Sequence, residues 1–144
     1  MQKKIFIVLF LVLLIELINS QNISLDFPDS VKANEEFNIK VSLIDFTDEN
    51  YDLKFEILNG SKNIARVFLN DKFTSTHYWI KNAFSENEKE KSFLLKITEN
   101  YEGLKEIKTN LRDSSGKTFI FNGYFINISY DLKNSDNIDD KKQD

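Results

Sequence analysis

Apolar and polar residues alternate along most of the chain, and this period of two is typical of β-strands that bury one face. Polar turn signals separate the alternating stretches, and the strongest of them is the pair Asn59-Gly60. Strands are predicted within residues 23–27, 37–43, 53–57, 64–69, 73–84, 93–97, 107–111 and 118–130. About eight short strands with turns between them predict an all-β protein, an antiparallel β-sandwich of seven to nine strands.

The last predicted strand changes phase along its length. Phe119 and Phe121 share one face, whereas Ile126 and Ile128 fall on the opposite face of an uninterrupted strand. One extra residue near Gly123 would bring all four side chains to the same side. The sequence therefore predicts a β-bulge at Gly123, because glycine tolerates the backbone angles of a bulge.

Residues 1–20, MQKKIFIVLFLVLLIELINS, have the three parts of a secretory signal peptide. Lys3 and Lys4 form a basic start, an unbroken apolar run follows over residues 5–15, and Ser20 is a small residue suited to the cleavage site. We predict a signal-peptide helix that is cleaved after Ser20. The mature protein is then secreted or held at the cell surface, with no stable membrane span.

An uncleaved anchor over residues 5–18 is the alternative, although Glu16 interrupts the run and a spanning helix needs about 20 apolar residues. Residues 21–131 form the single predicted domain. The acidic tail at 132–144 has almost no apolar residue and is predicted to be disordered.

Charge and cysteine content narrow the classes of partner. Without the signal peptide, 17 Lys+Arg stand against 22 Asp+Glu, because two of the 19 basic and one of the 23 acidic residues are removed, and the net charge is −5. A mildly acidic domain is poorly suited to nucleic acid. The chain has no cysteine, so an apolar core and not disulfides must stabilise it.

Three segments resemble Ig-like modules of archaeal and bacterial secreted or cell-surface proteins. FPDSVKANEEFNIKVSL at residues 27–43 is similar to their first two strands, with Asn34 where glycine is usual. RDSSGKTF at 112–119 resembles their late hairpin, and NGYFINIS at 122–129 resembles their last strand. The resemblance implies an Ig-like β-sandwich that binds, spaces or packs, and it implies no activity.

The only histidine and the only tryptophan lie in FTSTHYWIKNAF, residues 73–84. One interpretation makes His77, Tyr78 and Trp79 a ligand-binding platform, because an aromatic ring beside polar groups is suited to a sugar. The alternative, which we favour, places Trp79 in the core and His77 at a strand end or on the surface, since the single Trp of a small sandwich is usually core.

Four acidic residues cluster in DFTDENYD, a predicted turn. Carboxylate oxygens at the rim of a sandwich are suitable ligands for calcium, although a solvated turn is the simpler interpretation. The candidate ligands are Asp45, Asp48, Glu49 and Asp52. One histidine and no cysteine do not supply the usual ligands of a structural zinc site, and no cofactor is expected.

Three Asn-x-Ser sequons, at Asn22, Asn59 and Asn127, are candidate glycosylation sites of a secreted protein. About two are expected by chance from this composition. No nucleophile elbow or cysteine nucleophile is present, and we therefore predict that the protein is not an enzyme.

Three functions remain as hypotheses. The first is a non-catalytic binding or structural module, secreted or at the cell surface, whose partner is a protein or a cell-envelope glycan. The second is a carbohydrate-binding module that uses the aromatic platform. The third is a small secreted hydrolase, which would need two carboxylates converging in a pocket. The oligomeric state is not predicted.

Overall fold

A computed structural model describes residues 20–98 and 100–130, and all the regular structure in these ranges is β-strand. The predicted signal peptide, apart from Ser20, and the predicted tail at 132–144 lie outside the described residues. Within the described ranges, no helix is long and apolar enough to cross a membrane.

Eleven strands occupy the described residues. They are β1 Asn22–Asp26, β2 Ser30–Lys32, β3 Glu36–Ile44, β4 Tyr51–Asn59, β5 Lys62–Asn63, β6 Ala65–Leu69, β7 Lys72–Ser75, β8 Ile80–Phe84, β9 Glu90–Ile97, β10 Gly103–Arg112 and β11 Thr118–Ser129. The number exceeds the expected seven to nine because β2, β5 and β7 are short strands of two to four residues. The longer strands lie where the alternation predicts them.

The strands form two sheets. One sheet has the order β1-β3-β9-β6-β7, and the other has the order β2-β11-β10-β4-β5, with β8 also paired to β4. All the pairs are antiparallel except β2 with β11. The chain passes from the first sheet to the second between β1 and β2, so its first strands contribute to both sheets.

The core lies between the two sheets, as expected for a β-sandwich. Each strand turns alternate side chains inward, and Ile39, Leu95, Phe55 and Ile107 are fully buried there. Phe55 from the second sheet meets Phe93 from the first with ring centroids 5.6 Å apart. Apolar and aromatic burial therefore holds the sheets together, and the predicted all-β sandwich is confirmed.

The predicted bulge at Gly123 is confirmed by the register of β10 and β11. Ile107 pairs with Tyr124, but Thr109 pairs with Phe121, so two residues of β11 lie opposite one residue of β10. Gly123 has φ +89°, a backbone angle that residues with a side chain rarely adopt. The extra residue returns the aromatic side chains before the bulge to the inner face.

Candidate functional site

A polar cleft of about 470 Å³ lies at one end of the six-stranded sheet. The first residues of β4, the strand β8 and the hairpin between β10 and β11 meet there. The cleft is lined by Asn50, Asp52, Lys81, Asn82, Arg112, Asp113, Ser114 and Gly116. Charged and amide side chains dominate this lining, so the cleft is suited to a hydrogen-bonding ligand.

The carboxylate of Asp52 is the centre of this cluster. Arg112 lies directly across from it on β10 and donates hydrogen bonds from Nε at 3.2 Å and Nη2 at 2.6 Å to Oδ2. The Lys81 ammonium donates to the same oxygen at 3.0 Å, and the backbone N–H of Asn82 donates to Oδ1 at 2.9 Å. Four donors from two neighbouring strands therefore fix the carboxylate in place.

The surroundings of Asp52 hold it in the charged form. Burial raises the pKa of its carboxyl, but hydrogen bonds from Arg112, Asn82 and Lys81 outweigh burial and leave that pKa below its usual value. The pKa of Asp113 is also lowered, chiefly by a hydrogen bond from the Ser115 hydroxyl. Both acids of the cleft are therefore carboxylates at neutral pH.

Trp79 lies beside this cluster. The guanidinium carbon of Arg112 is 4.3 Å from the centroid of the indole ring, the geometry of a cation–π contact. Trp79 is half-buried and lies outside the buried core. Its predicted placement in the core is therefore wrong. The tryptophan instead supports the arginine that pairs with Asp52.

The strand expected across residues 75–80 is interrupted. Residues 76–79 form the connection between β7 and β8, so the alternation of side chains expected there is wrong. Thr76 is buried and donates its hydroxyl to the Ala65 carbonyl oxygen at 3.1 Å. A buried threonine anchors this turn, and the residues after it are released from strand geometry.

The three residues of the predicted platform do not share one surface. His77 and Tyr78 are exposed in the turn and touch edge to face, with ring centroids 5.7 Å apart. None of the three lines the cleft, but Trp79 packs on Arg112, which does line it. The structure therefore unites Trp79 with Asp52 and Arg112, and it leaves His77 and Tyr78 at the tip of the turn.

The four acids of the predicted calcium site do not converge on one point, and three of them interact with other residues. Asp48 pairs with Lys89 at 2.7 Å, and Glu49 accepts hydrogen bonds from Tyr51 and Ser114. Asp45 is exposed. Among the described residues, no group of three or more acidic, histidine or cysteine side chains is arranged to hold a metal ion.

Glu49 instead connects two loops at the rim of the cleft. Its carboxylate accepts hydrogen bonds from Thr47 at 2.9 Å, from Tyr51 at 3.1 Å and from Ser114 in the β10–β11 hairpin. The Ser114 contact is the largest of the causes that lower the pKa of Glu49. Ser114 therefore holds the β10–β11 hairpin against the loop that precedes β4.

All three sequon asparagines have exposed side chains. Asn22 begins β1, Asn59 ends β4, and Asn127 faces outward from β11. Asn59 accepts a hydrogen bond from Lys105 at 3.3 Å. Each of the three positions is therefore accessible to a glycan, including Asn127 within a strand.

Sequence reasoning missed Arg112, Lys81 and Asn82. Pairing across strands brings them to Asp52, and register cannot be deduced from alternation alone. One signal was present, because Arg112 is one of only two arginines in a chain with 19 Lys+Arg. A planar guanidinium is suited to stacking and carboxylate pairing in a way that lysine is not.

No protein-family model matches the chain, and no curated protein is significantly similar to it in sequence.

Proposed function

We propose that this chain is a secreted or cell-surface Ig-like module that binds a protein partner without acting on it chemically. Strand order supports the Ig-like assignment. In Ig-like sandwiches the order of one sheet is A-B-E-D and that of the other contains G-F-C. Here the order β1-β3-β9-β6 in one sheet corresponds to A-B-E-D, and the order β11-β10-β4 in the other sheet corresponds to G-F-C.

The observation that carries the binding function is an exposed apolar pair on the outer face of the six-stranded sheet. Leu104 on β10 is 64% exposed and Phe125 on β11 is 54% exposed. Their cross-strand partners are Asn127 and Glu106, so the two apolar side chains are diagonal neighbours on one face. Adjacent exposed apolar side chains at positions where polar residues are expected favour an interaction surface.

An apolar pair bordered by Glu106 and Asn127 favours a protein partner over a polar glycan, because proteins supply apolar side chains to bury against it. Secretion rests on the signal-peptide pattern of residues 1–20, with its basic start and apolar run. The intact mass of the native protein tests this part. A chain that begins at Gln21 supports a cleaved, secreted module, and a full-length chain found only in membranes supports a surface protein anchored by residues 5–18. A full-length chain found only inside the cell contradicts export.

Binding of the labelled full mature protein to the surface of the producing cells tests the partner surface. The double variant Leu104→Lys with Phe125→Lys should lose most of this binding. Phe68→Lys is a matched control, since Phe68 is 40% exposed on β6 of the other sheet. Equal binding by the double variant and the control would contradict this role of the outer face.

A carbohydrate-binding module is the second candidate, and the stacking of Trp79 beside a polar cleft favours it. The chain has one tryptophan, so fluorescence reports on this site alone. Titration with soluble cell-envelope polysaccharides should shift or quench the emission if the cleft binds sugar. If the emission stays unchanged up to the highest polysaccharide concentration, this candidate is excluded and the protein-binding proposal is unaffected.

A hydrolase is the least supported function. Glycoside hydrolysis commonly requires one protonated carboxyl with a raised pKa beside one carboxylate. The pKa values of Asp52 and Asp113, the two acids that line the cleft, are both lowered. Binding without chemistry is the function that this electrostatic arrangement supports best.

A further inference from the structure

The last strand of the six-stranded sheet has a long unpaired edge in the described part of the chain. On that side of β11, β2 pairs only with Asn127, Ile128 and Ser129. Among the described strands, residues Thr118–Ile126 have a neighbour on the β10 side alone. Nine residues of strand backbone therefore present their outer edge without a ladder.

Apart from the bulge at Gly123, this edge lacks the features that protect other edges. Its sequence, TFIFNGYFI, contains no charged residue and no proline. Natural edge strands are usually short, charged or irregular, which prevents unwanted pairing. By contrast, β7 has four residues and begins with Lys72, and β8 carries Lys81 and the positive φ of Asn82. The β11 edge is therefore able to pair with another strand.

Backbone directions identify the groups that face this edge. Asn127 donates its N–H to the Asp29 carbonyl oxygen at 3.0 Å, so Asn127 faces away from β10. Directions alternate along a strand, and the extra residue at Gly123 reverses the phase. Before the bulge, Thr118 and Ile120 therefore direct their N–H and C=O groups towards the unpaired edge.

We propose that β11 pairs antiparallel with β11 of a second copy of this chain, about a two-fold axis at Ile120. In this register Ile120 lies opposite Ile120 of the second copy and exchanges two backbone hydrogen bonds with it. Phe119 lies opposite Phe121 of the second copy on the inner face. Thr118 lies opposite Asn122 of the second copy on the outer face. The two six-stranded sheets then form one continuous sheet.

The chemistry of the strand favours a second copy as the occupant. Pairing of identical strands places no like charges opposite one another, because residues 118–122 are uncharged. The facing aromatic side chains extend an existing cluster, in which Phe46 lies 5.3 Å from Phe119 and 6.2 Å from Phe121, measured between ring centroids.

The neighbouring sequence fixes this register. A shift by one residue would oppose inward and outward side chains. Shifting the two-fold axis to Phe119 brings Lys117 into the pairing, and shifting it to Phe121 brings in the bulge. The Gly123 N–H in the bulge already has a hydrogen-bond partner, since it donates to Glu106 Oε1 at 2.9 Å. Only the axis at Ile120 uses the regular uncharged segment 118–122.

This inference is independent of the proposed partner surface, because it uses the β11 edge and leaves Leu104 exposed. A single introduced cysteine tests it cleanly in a chain that has none. Hydrogen-bonded antiparallel pairs have Cα atoms about 5.5 Å apart, within the range for a disulfide. Full mature protein carrying Ile120→Cys should convert to a covalent dimer under mild oxidation, whereas Leu104→Cys should form no covalent dimer.

Charge variants test the same register without a cross-link. Sedimentation of the wild-type mature chain should show a species of about twice the monomer mass. Ile120→Lys and Ile120→Glu should each be monomeric, because like charges meet on the axis, and an equimolar mixture should restore the dimer. Leu104→Lys is the control and should dimerise as the wild type does.

Three results would overturn the inference. They are a wild-type chain that is monomeric at every concentration, an Ile120→Lys variant that still dimerises, and preferential cross-linking through Phe125→Cys, which would indicate face-to-face contact. Ile120 is 59% exposed, so folding should tolerate its substitution. An unchanged tryptophan emission spectrum confirms that each variant is folded.

Discussion

The guanidinium of Arg112 lies between the indole ring of Trp79 and the carboxylate of Asp52. Its central carbon is 4.3 Å from the ring centroid, and its Nη2 is 2.6 Å from Asp52 Oδ2. A cation–π contact contributes about 0.5–2 kcal/mol, depending on how far it is desolvated. The arginine therefore connects the β7–β8 turn to the start of β4 by two different interactions.

Replacing Arg112 by alanine should lower the free energy of unfolding by about 1–3 kcal/mol, since the half-buried Asp52 loses its strongest donor. The single tryptophan should change its emission maximum, because the cation above its ring is removed. Arg112→Lys keeps the charge but not the planar fork, and we expect an intermediate loss. Denaturant unfolding followed by fluorescence measures both effects.

Arg66→Ala is the matched control for this substitution. Arg66 is the other arginine of the chain, and it is exposed on β6. A surface substitution of this kind should change stability by less than about 0.5 kcal/mol. If Arg112→Ala proved as neutral as Arg66→Ala, with the same emission, the assigned contact would be wrong.

Stability should depend on pH through Asp52. Its folded-state pKa lies below the value of about 3.9 for an unfolded chain, so the unfolded state binds more protons in that range. The stabilisation is therefore complete above about pH 4 and is lost as pH falls through the folded-state pKa. Comparing the wild type with Asp52→Asn isolates this carboxyl from the other acids with lowered pKa.

The difference in unfolding free energy between the two proteins should be largest near neutral pH and should shrink in acid. A difference that stayed constant from about pH 7 to about pH 2 would mean that Asp52 is not ionised preferentially in the folded state.

Among the described residues, one buried side-chain polar atom has no hydrogen-bond partner. Thr109 on β10 is fully buried, and its Oγ1 has no hydrogen-bond partner in the described structure. An unsatisfied buried hydroxyl costs about 1–3 kcal/mol. Thr109→Val keeps the branched shape and should therefore raise the unfolding free energy by about 1 kcal/mol or more.

Thr109→Ser serves as the control, because it retains the hydroxyl and removes the methyl group. It should destabilise the protein by about 1 kcal/mol, the value of one buried methyl group together with the space it leaves. Thermal unfolding of both variants is sufficient, and a Thr109→Val protein that melts below the wild type would reveal a hidden partner for the hydroxyl.

Alternation predicted the fold because each long strand has one buried face. The pattern of Phe37, Ile39 and Val41 on β3 needs only the period of two, which is a local property. The bulge at Gly123 was predictable for the same reason, since a change of phase is visible in a single strand. The turn at 76–79 was not predictable from alternation, because a buried threonine interrupts a stretch rich in strand-forming residues.

The site was less predictable than the fold because it depends on strands distant in sequence. Asp52 and Trp79 were both singled out, but as members of two separate hypothetical sites. Arg112 joins them, and it is 60 residues from Asp52 along the chain. Its position opposite Asp52 follows from the register of β4 and β10, which no local pattern specifies.

The bulge itself provides the last prediction. A Cβ added at Gly123 meets nothing within 4 Å, so substitution there adds backbone strain without a steric clash. Gly123→Ala should therefore cost about 1–2 kcal/mol, the penalty for a side chain at positive φ. Gly123→Asn should cost less, because asparagine adopts positive φ more readily, and Gly123→Val should cost more.

This order of stabilities distinguishes backbone strain from lost packing. If the loss came from contacts, the three variants would rank by side-chain size, with alanine the mildest and valine and asparagine similar to each other. Urea unfolding of the three proteins gives the order directly. Asparagine more stable than alanine would confirm that positive φ at Gly123 sets the bulge, and with it the change of phase along β11.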